Sequence, residues 1–120
     1  MKKVNIKEKF SLFDEHWQPK VVAELNGQEV KLVKFKGEFL WHHHDAADEL
    51  FLAWHGTFRI EFHDHVVALN EGECIVVPRG VEHRTVAKEE AEVLIFEPAF
   101  TLNTGNISDS RFTAPLRGLI

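Results

Sequence analysis

The sequence predicts an all-β sandwich or barrel, and three observations point there. Short runs of alternating apolar and polar residues recur along the chain at nearly regular spacing. Gly, Pro and Asn punctuate them, as at Asn26-Gly27, Asn70-Glu71-Gly72 and Pro78-Arg79-Gly80. A chain of 120 residues, 44% hydrophobic and 28% charged, is also large enough to bury one core as a single domain, residues 1–120, without cross-links.

The elements follow in order. Residues 5–13 are expected to form one short helix, because Asn5 with Glu8 fits a capping box and Ile6, Phe10 and Phe13 share a face. After a loop through Trp17 and Pro19, residues 21–25 read as a strand, Asn26-Gly27 as a type I′ turn and 28–35 as the returning strand. Val33 and Phe35 are apolar at odd positions, whereas Leu40, His42 and His44 share a face at even ones. The change of parity is therefore expected around Gly37, as a break or a bulge. Phe51 and Ala53, then Phe58, Ile60 and Phe62, continue the alternation on either side of His55-Gly56. His63-Asp64-His65 makes a tight connection into residues 66–69, residues 74–77 form an apolar strand, and Val81, His83 and Thr85 open the next. Lys88-Glu89-Glu90-Ala91 reads as a solvated turn before a last strand over 93–96. The barrel core is thus expected over residues 21–98, with 99–120 as an arm packing back on the barrel or on a neighbouring copy.

The net charge of −5, with no cluster of Lys or Arg, excludes a nucleic-acid or anionic-membrane footprint. No apolar run suits a signal peptide or a membrane span, and Cys74 is alone, so the expected compartment is the cytoplasm.

Two blocks carry metal-binding chemistry. One runs from Gly37 through His42-His43-His44 to Glu49 and closes at Gly56; the other runs from Gly72 through Pro78-Arg79-Gly80 to His83. Imidazole nitrogens and a carboxylate are ligands for a divalent transition metal. In a strand His42 and His44 point the same way while His43 points away. A turn over residues 45–48 can return Glu49 beside them, and His83, after its own Pro-Gly turn, suits a facing strand. Three neutral imidazoles and one carboxylate leave a small net positive charge on the ion and open positions for water or substrate.

These blocks resemble the two motifs of the cupin family. The first motif is Gly, a short spacer, His-x-His, three or four residues, Glu, six residues, Gly; here it falls on Gly37, His42, His44, Glu49 and Gly56, with the first spacer one residue short. The second is Gly, five residues, Pro-x-Gly, two residues, His, here Gly72, Pro78, Gly80 and His83, with Ala87 where an asparagine is common. The resemblance covers residues 30–98 and implies a double-stranded β-helix, the jelly-roll barrel of cupins. It also implies one divalent transition metal (Zn, Fe, Mn, Ni or Cu) held by His42, His44, Glu49 and His83. In overall look the chain is similar to small single-domain bacterial cupins often labelled phosphomannose-isomerase-like.

By alternation, Phe51, Phe58, Ile60, Phe62 and Val77 are expected to line the cavity, with Trp41 and Trp54 on the opposite face. His16, His43, His55, His63 and His65 read as surface residues, Arg79, Arg84 and Asp48 as solvated, and Cys74 as a small buried residue. No catalytic residue is assigned, because no second inward carboxylate is evident and the chain has no Tyr. The expected function is metal-dependent chemistry of isomerase or dioxygenase type on a small polar molecule: a sugar, sugar phosphate or hydroxy or keto acid. The alternatives are a non-catalytic binding or sensing module and a purely structural dimer. A homodimer is expected, with the N-terminal segment and the tail at residues 116–120 as contacts.

Overall fold

The computed structural model describes residues 1–116 and 118–120; Arg117, within the tail expected to make contacts, lies outside the described residues. One helix and seven strands follow in order: α1 (Ile6–Phe10), β1 (Lys20–Leu25), β2 (Gln28–Glu38), β3 (Glu49–His55), β4 (Phe58–Phe62), β5 (Val66–Leu69), β6 (Cys74–Val77) and β7 (His83–Pro98). Strands take 47% of the chain and helix 4%, so the fold is all-β, an antiparallel jelly-roll.

β2 and β7 are the spine. One edge of β7 pairs with β2 along most of its length. Its other edge pairs with β4 over His83–Val86 and with β3 over Glu92–Phe96. One strand thus belongs to two walls: β1, β2, the end of β7, β3 and β6 form the first, and the start of β7, β4 and β5 the second. Inward residues of both walls, among them Val33, Phe35, Phe51, Ala53, Phe58, Ile60, Val93 and Ile95, make the core.

The bend between the walls corrects the expectation for residues 88–91. Phe35 faces Ala91 and Gly37 faces Ala87, so the β7 side carries two extra residues in a bulge and there is no turn. Lys88, Glu89 and Glu90 are solvated on this bulge, while Ala91 is fully buried. Because β7 absorbs the mismatch, β2 continues through Gly37 to Glu38 and keeps its alternation to the buried Phe39. The parity changes between Phe39 and His42, beyond the end of β2, and not at Gly37.

The capping of α1 is as read, with the Glu8 N–H donating to Asn5 Oδ1 at 2.9 Å. The helix is shorter than expected, ending at Phe10, yet Phe13 still packs with Phe10 and Leu32 on the outer face of the first wall. Asn26 and Gly27 both have positive φ and close the β1–β2 hairpin. Cys74 is exposed, against expectation, because on the edge strand β6 it is Ile75 and Val77 that turn to the core. The arm beyond β7 packs back on its own barrel. Asn103 Nδ2 donates to the carbonyls of Trp17 (3.1 Å) and Phe112 (2.7 Å), and the Val21 N–H donates to the Gly118 carbonyl (2.7 Å). Among the described residues no helix is long and apolar enough to cross a membrane.

Gly56, which closes the first sequence block, sits beneath the β7 bend with φ +79°, and a Cβ there would lie 3.1 Å from the Glu90 carbonyl oxygen. A Gly56→Ala variant has to adopt a left-handed conformation and push on backbone that cannot swing away. It is expected to lose about 1–2 kcal/mol or more of stability, read as a lower midpoint in urea denaturation.

Candidate metal centre

His42 and His83 are brought together by the backbone. Each donates its N–H to the other's carbonyl, at 3.0 and 2.9 Å, forming an isolated antiparallel bridge beyond the end of β2. Residues that exchange both bonds project their side chains to the same side of a sheet. The imidazole centroids accordingly lie 4.5 Å apart. His44 is fixed next, its carbonyl accepting the Gly80 N–H at 2.8 Å. The Asp48 carboxylate, exposed as expected, accepts the Arg79 N–H at 2.8 Å and so ties the 45–48 loop to the Pro78-Arg79-Gly80 turn. Glu49 opens β3 opposite Val77.

The result is a group of four, His42, His44, Glu49 and His83, each offering a ligand atom within 4.8 Å of the others. All four are buried, His83 at 1% exposure. His42 Nδ1 donates to the Leu40 carbonyl (3.0 Å) and His83 Nδ1 to the Val81 carbonyl (2.9 Å). Those bonds place the protons on Nδ1, so both Nε2 lone pairs are available as ligands. Glu49 Oε1 lies 2.9 Å from His44 Nε2 and 3.6 Å from His83 Nε2. None of these three atoms makes a hydrogen bond, close as they are. Buried polar atoms with no partner cost about 1–3 kcal/mol each. A cation among them would satisfy all three at once, so the residues present fit a divalent metal.

The electrostatics agree. Burial lowers the His42 imidazole to about 3, with His83 adding to the effect, and lowers His83 to about 4. Burial lowers His44 too, and raises the Glu49 carboxyl. All three imidazoles are thereby kept in the neutral form that binds metal.

Behind Glu49 stands Glu97, an inward carboxyl that corrects the expectation of none. It is 2% exposed and borders the cavity together with Glu49. Burial, and then Glu49, push the Glu97 carboxyl well above the usual carboxylate range. Lys31 Nζ donates to Glu97 Oε1 at 2.7 Å. The signal for both was available: Lys31 has the parity of Val33 and Phe35, and Glu97 that of Val93 and Ile95.

The cavity inside the barrel is only about 30 Å³, room for one or two waters. Its wall is largely apolar, from Trp17, Val33, Phe35, Phe39, Phe51 and Ile95, with His42, Glu49, Thr85, Glu97 and Asn103 as polar members. Of the residues expected to line it, Phe51 does; Phe58, Ile60 and Val77 are buried in the core and Phe62 packs against that core. Trp17, not singled out from the sequence, stacks on Phe35 and Phe39 at centroid distances of 4.7 and 4.8 Å. A second, more open hollow of about 330 Å³ lies between residues 44–47 and the arm, bordered by His44, Asp45, Thr101 and Asn106 among others. The four-residue group therefore stands between a small inner cavity and a larger outer one.

Trp54 is exposed and Trp41 half-buried, stacked on the exposed His63. His55 and His65 are exposed, and His16 is half-exposed with Nε2 2.7 Å from Glu90. His43 is half-buried, 3.0 Å from Asp45. Arg84 is not simply solvated, since it donates to Glu61 at 2.7 Å and Glu38 at 3.1 Å.

An imidazole depressed in the fold contributes its full stability above the unfolded value of 6.5. As pH falls below that, the unfolded chain takes up protons that the fold refuses, and stability drops until about 3 for His42 or about 4 for His83. The raised carboxyls Glu49 and Glu97 act in the opposite sense, gaining stability as pH falls through their raised values. Comparing metal-free wild type with His42→Gln isolates the imidazole. The wild type should lose more stability than the variant on acidification from about pH 7 to about pH 5, at up to about 1.4 kcal/mol per pH unit, as read by thermal denaturation.

Comparison with known proteins matches the fold. The chain is 49% identical to a cupin-2 domain containing protein from Shewanella frigidimarina NCIMB 400, whose crystal structure superposes with a TM-score of 0.78 over 79% of this chain and 93% of that one. It is 30% identical to protein NMB1881 from Neisseria meningitidis, with a TM-score of 0.75 over 81% of this chain and 99% of that one. It is also 36% identical over 87 residues to the uncharacterized protein YdbB of Bacillus subtilis (strain 168), covering 63% of this chain and 77% of the relative. The family model for the cupin domain matches residues 23–97, all of the barrel from β1 to the end of β7 but its margins, and the chain belongs to the cupin family.

Proposed function

We propose that the protein holds one divalent transition metal (zinc, iron, manganese, nickel or copper) through His42, His44, Glu49 and His83, and uses it on a small polar molecule in isomerase- or dioxygenase-type chemistry. The observation that carries this reading is the trio of buried ligand atoms without partners, His44 Nε2, Glu49 Oε1 and His83 Nε2. Such an ion supplies Lewis-acid polarisation of a substrate oxygen or, when redox-active, electron transfer.

The chain's own residues do the rest. His42 and His83 present fixed lone pairs, and Glu49 supplies the negative charge. The outer hollow of about 330 Å³ is of the size that small-molecule sites use, and His44 on its border puts it next to the metal ligands. The inner cavity takes water and excludes anything larger. Among the described residues neither lining contains a Lys or Arg to pair with a phosphate. The reading therefore favours a neutral sugar or a hydroxy or keto compound over the sugar phosphate that a phosphomannose-isomerase-like label suggests.

A second reading, a non-catalytic binding module, is favoured by one observation. Glu97, the other buried carboxyl bordering the inner cavity, is already engaged by Lys31. A homodimer in the cytoplasm belongs to the same proposal. Trp54, Cys74 and Val76 are exposed on β3 and the edge strand β6, and a second copy would cover them.

Elemental mass spectrometry of protein purified without chelator is expected to find close to one equivalent of metal. Stripping the metal should lower the melting temperature, and re-addition at about a hundredfold excess over Kd should restore about 2.7 kcal/mol. His44→Ala should abolish that gain. Metal content near zero with no gain on re-addition sinks the proposal. Light scattering should give twice the chain mass, and a monomer mass removes the dimer.

A further inference from the structure

His42 and His44 flank one residue whose backbone decides how their imidazoles stand to one another. Peptide planes are rigid, so the two rotations at His43, φ and ψ, are the hinge between the ligands on either side of it. The three residues lie between β2 and β3, outside the strand ladders except for the bridge at His42. The hinge therefore needs support from elsewhere.

The arm beyond β7 supplies it. The His43 N–H donates to Asn106 Oδ1 at 2.9 Å, and the Asn106 N–H donates to the His43 carbonyl at 3.0 Å. The first bond holds the peptide plane before His43 and the second holds the plane after it. One residue of the arm thus closes the pair of bonds that a neighbouring strand would make. Across this clamp the imidazoles of His42 and His44 stand 5.0 Å apart and nearly perpendicular, at 88°.

The arm is folded so as to present Asn106 at this place. The Gly105 N–H donates to the Leu102 carbonyl at 2.9 Å and the Ile107 N–H to the Thr104 carbonyl at 3.0 Å. Thr104, fully buried, donates through Oγ1 to the Ile107 carbonyl at 2.6 Å. Gly105, with φ +58°, comes so near the ligand segment that a Cβ would collide with the His43 carbonyl oxygen and lie 3.2 Å from His42 Cδ2. Only glycine allows that approach. These residues lie beyond the 23–97 stretch that carries the family likeness, so the clamp comes from outside the family domain.

We propose that Asn106 is a positioning residue, whose paired bonds to His43 fix the backbone between His42 and His44 and so set both imidazoles for the metal. Asn106 is no ligand and carries no charge. It raises affinity by ordering the ligand pair before an ion arrives, the general effect of preorganisation. The inference rests on the metal-binding reading above.

The test measures zinc affinity of the full-length, metal-stripped protein by competition with a chromophoric chelator, together with the metal-free melting temperature of each variant. Asn106→Ala removes the acceptor of the His43 N–H and keeps the backbone bond. It is expected to weaken zinc about 3–10-fold, the ratio that the net contribution of one hydrogen bond supports. Asn106→Asp keeps an acceptor oxygen in place and should bind zinc no more weakly than wild type. Phe13→Ala, on the outer face of the first wall, should lower the melting temperature and leave zinc affinity unchanged. Wild-type affinity in Asn106→Ala overturns the inference, and so does an Asn106→Asp variant as weak as Asn106→Ala. Equal weakening in Phe13→Ala reports a general loss of stability and overturns it as well. Should Asn106→Ala not fold, Asn106→Ser, whose oxygen is too short to reach the His43 N–H, decides: wild-type affinity there refutes the clamp. Wild-type protein that takes up no zinc or other divalent transition metal refutes the metal-binding reading along with this one, whereas normal wild-type binding with unaltered variants refutes this one alone.

Discussion

Buried ligand atoms converging from His44, Glu49 and His83 without hydrogen bonds to one another set the constraint that the surrounding structure answers. Acceptors cannot satisfy one another, and burial drives each group towards its neutral form, the imidazoles by losing protons and the carboxyl by gaining one. Neutral imidazole is a ligand, but a neutral carboxyl is a poor one. A divalent cation resolves the mismatch because it favours the carboxylate while leaving the imidazoles neutral. Solvent alone would reverse both shifts together. The buried setting is therefore one that a divalent cation at the centre of the group would suit.

The bend in β7 makes this convergence geometrically feasible. A straight strand rises about 3.3 Å per residue, so the two ends of a sixteen-residue strand would stand about 50 Å apart. Yet His83 at one end lies 3.6 Å from Glu49 Oε1, and Glu97 near the other end borders the same cavity as Glu49. The bulge at residues 88–90 folds the strand over so that both ends face one cavity. Its charged residues remain in water, and Gly56 leaves the room for the folded backbone. The motif glycine and the acidic run are thus parts of one corner, although they look unrelated along the chain.

The sequence disclosed the ligand group because that chemistry is specific to residue type and spacing. Few other arrangements of His42, His44, Glu49 and His83 make physical sense, and period-two alternation puts the first pair on one face. Alternation was less informative about depth. Phe58, Ile60 and Val77 point inward as expected but pack into the core, because facing inward does not determine which layer of a barrel borders a void. The run at 88–91 was misjudged because solvated charges suit a bulge as well as a turn, and only the pairing register of β2 with β7 separates the two. The closing contacts of the arm, such as Asn103 on the Trp17 carbonyl, join residues 86 positions apart. No local pattern encodes them.

Lys31 and Glu97 show where local and functional demands diverge. Their positions follow the core parity of β2 and β7, while their chemistry contradicts it, and such conflicts tend to gather where function outweighs packing. The pair could have been placed in any inward layer, but Glu97 borders the same cavity as Glu49, and Lys31 Nζ donates to Glu97 at 2.7 Å. A hydrophobic replacement at 31 or 97 would suit the fold at least as well.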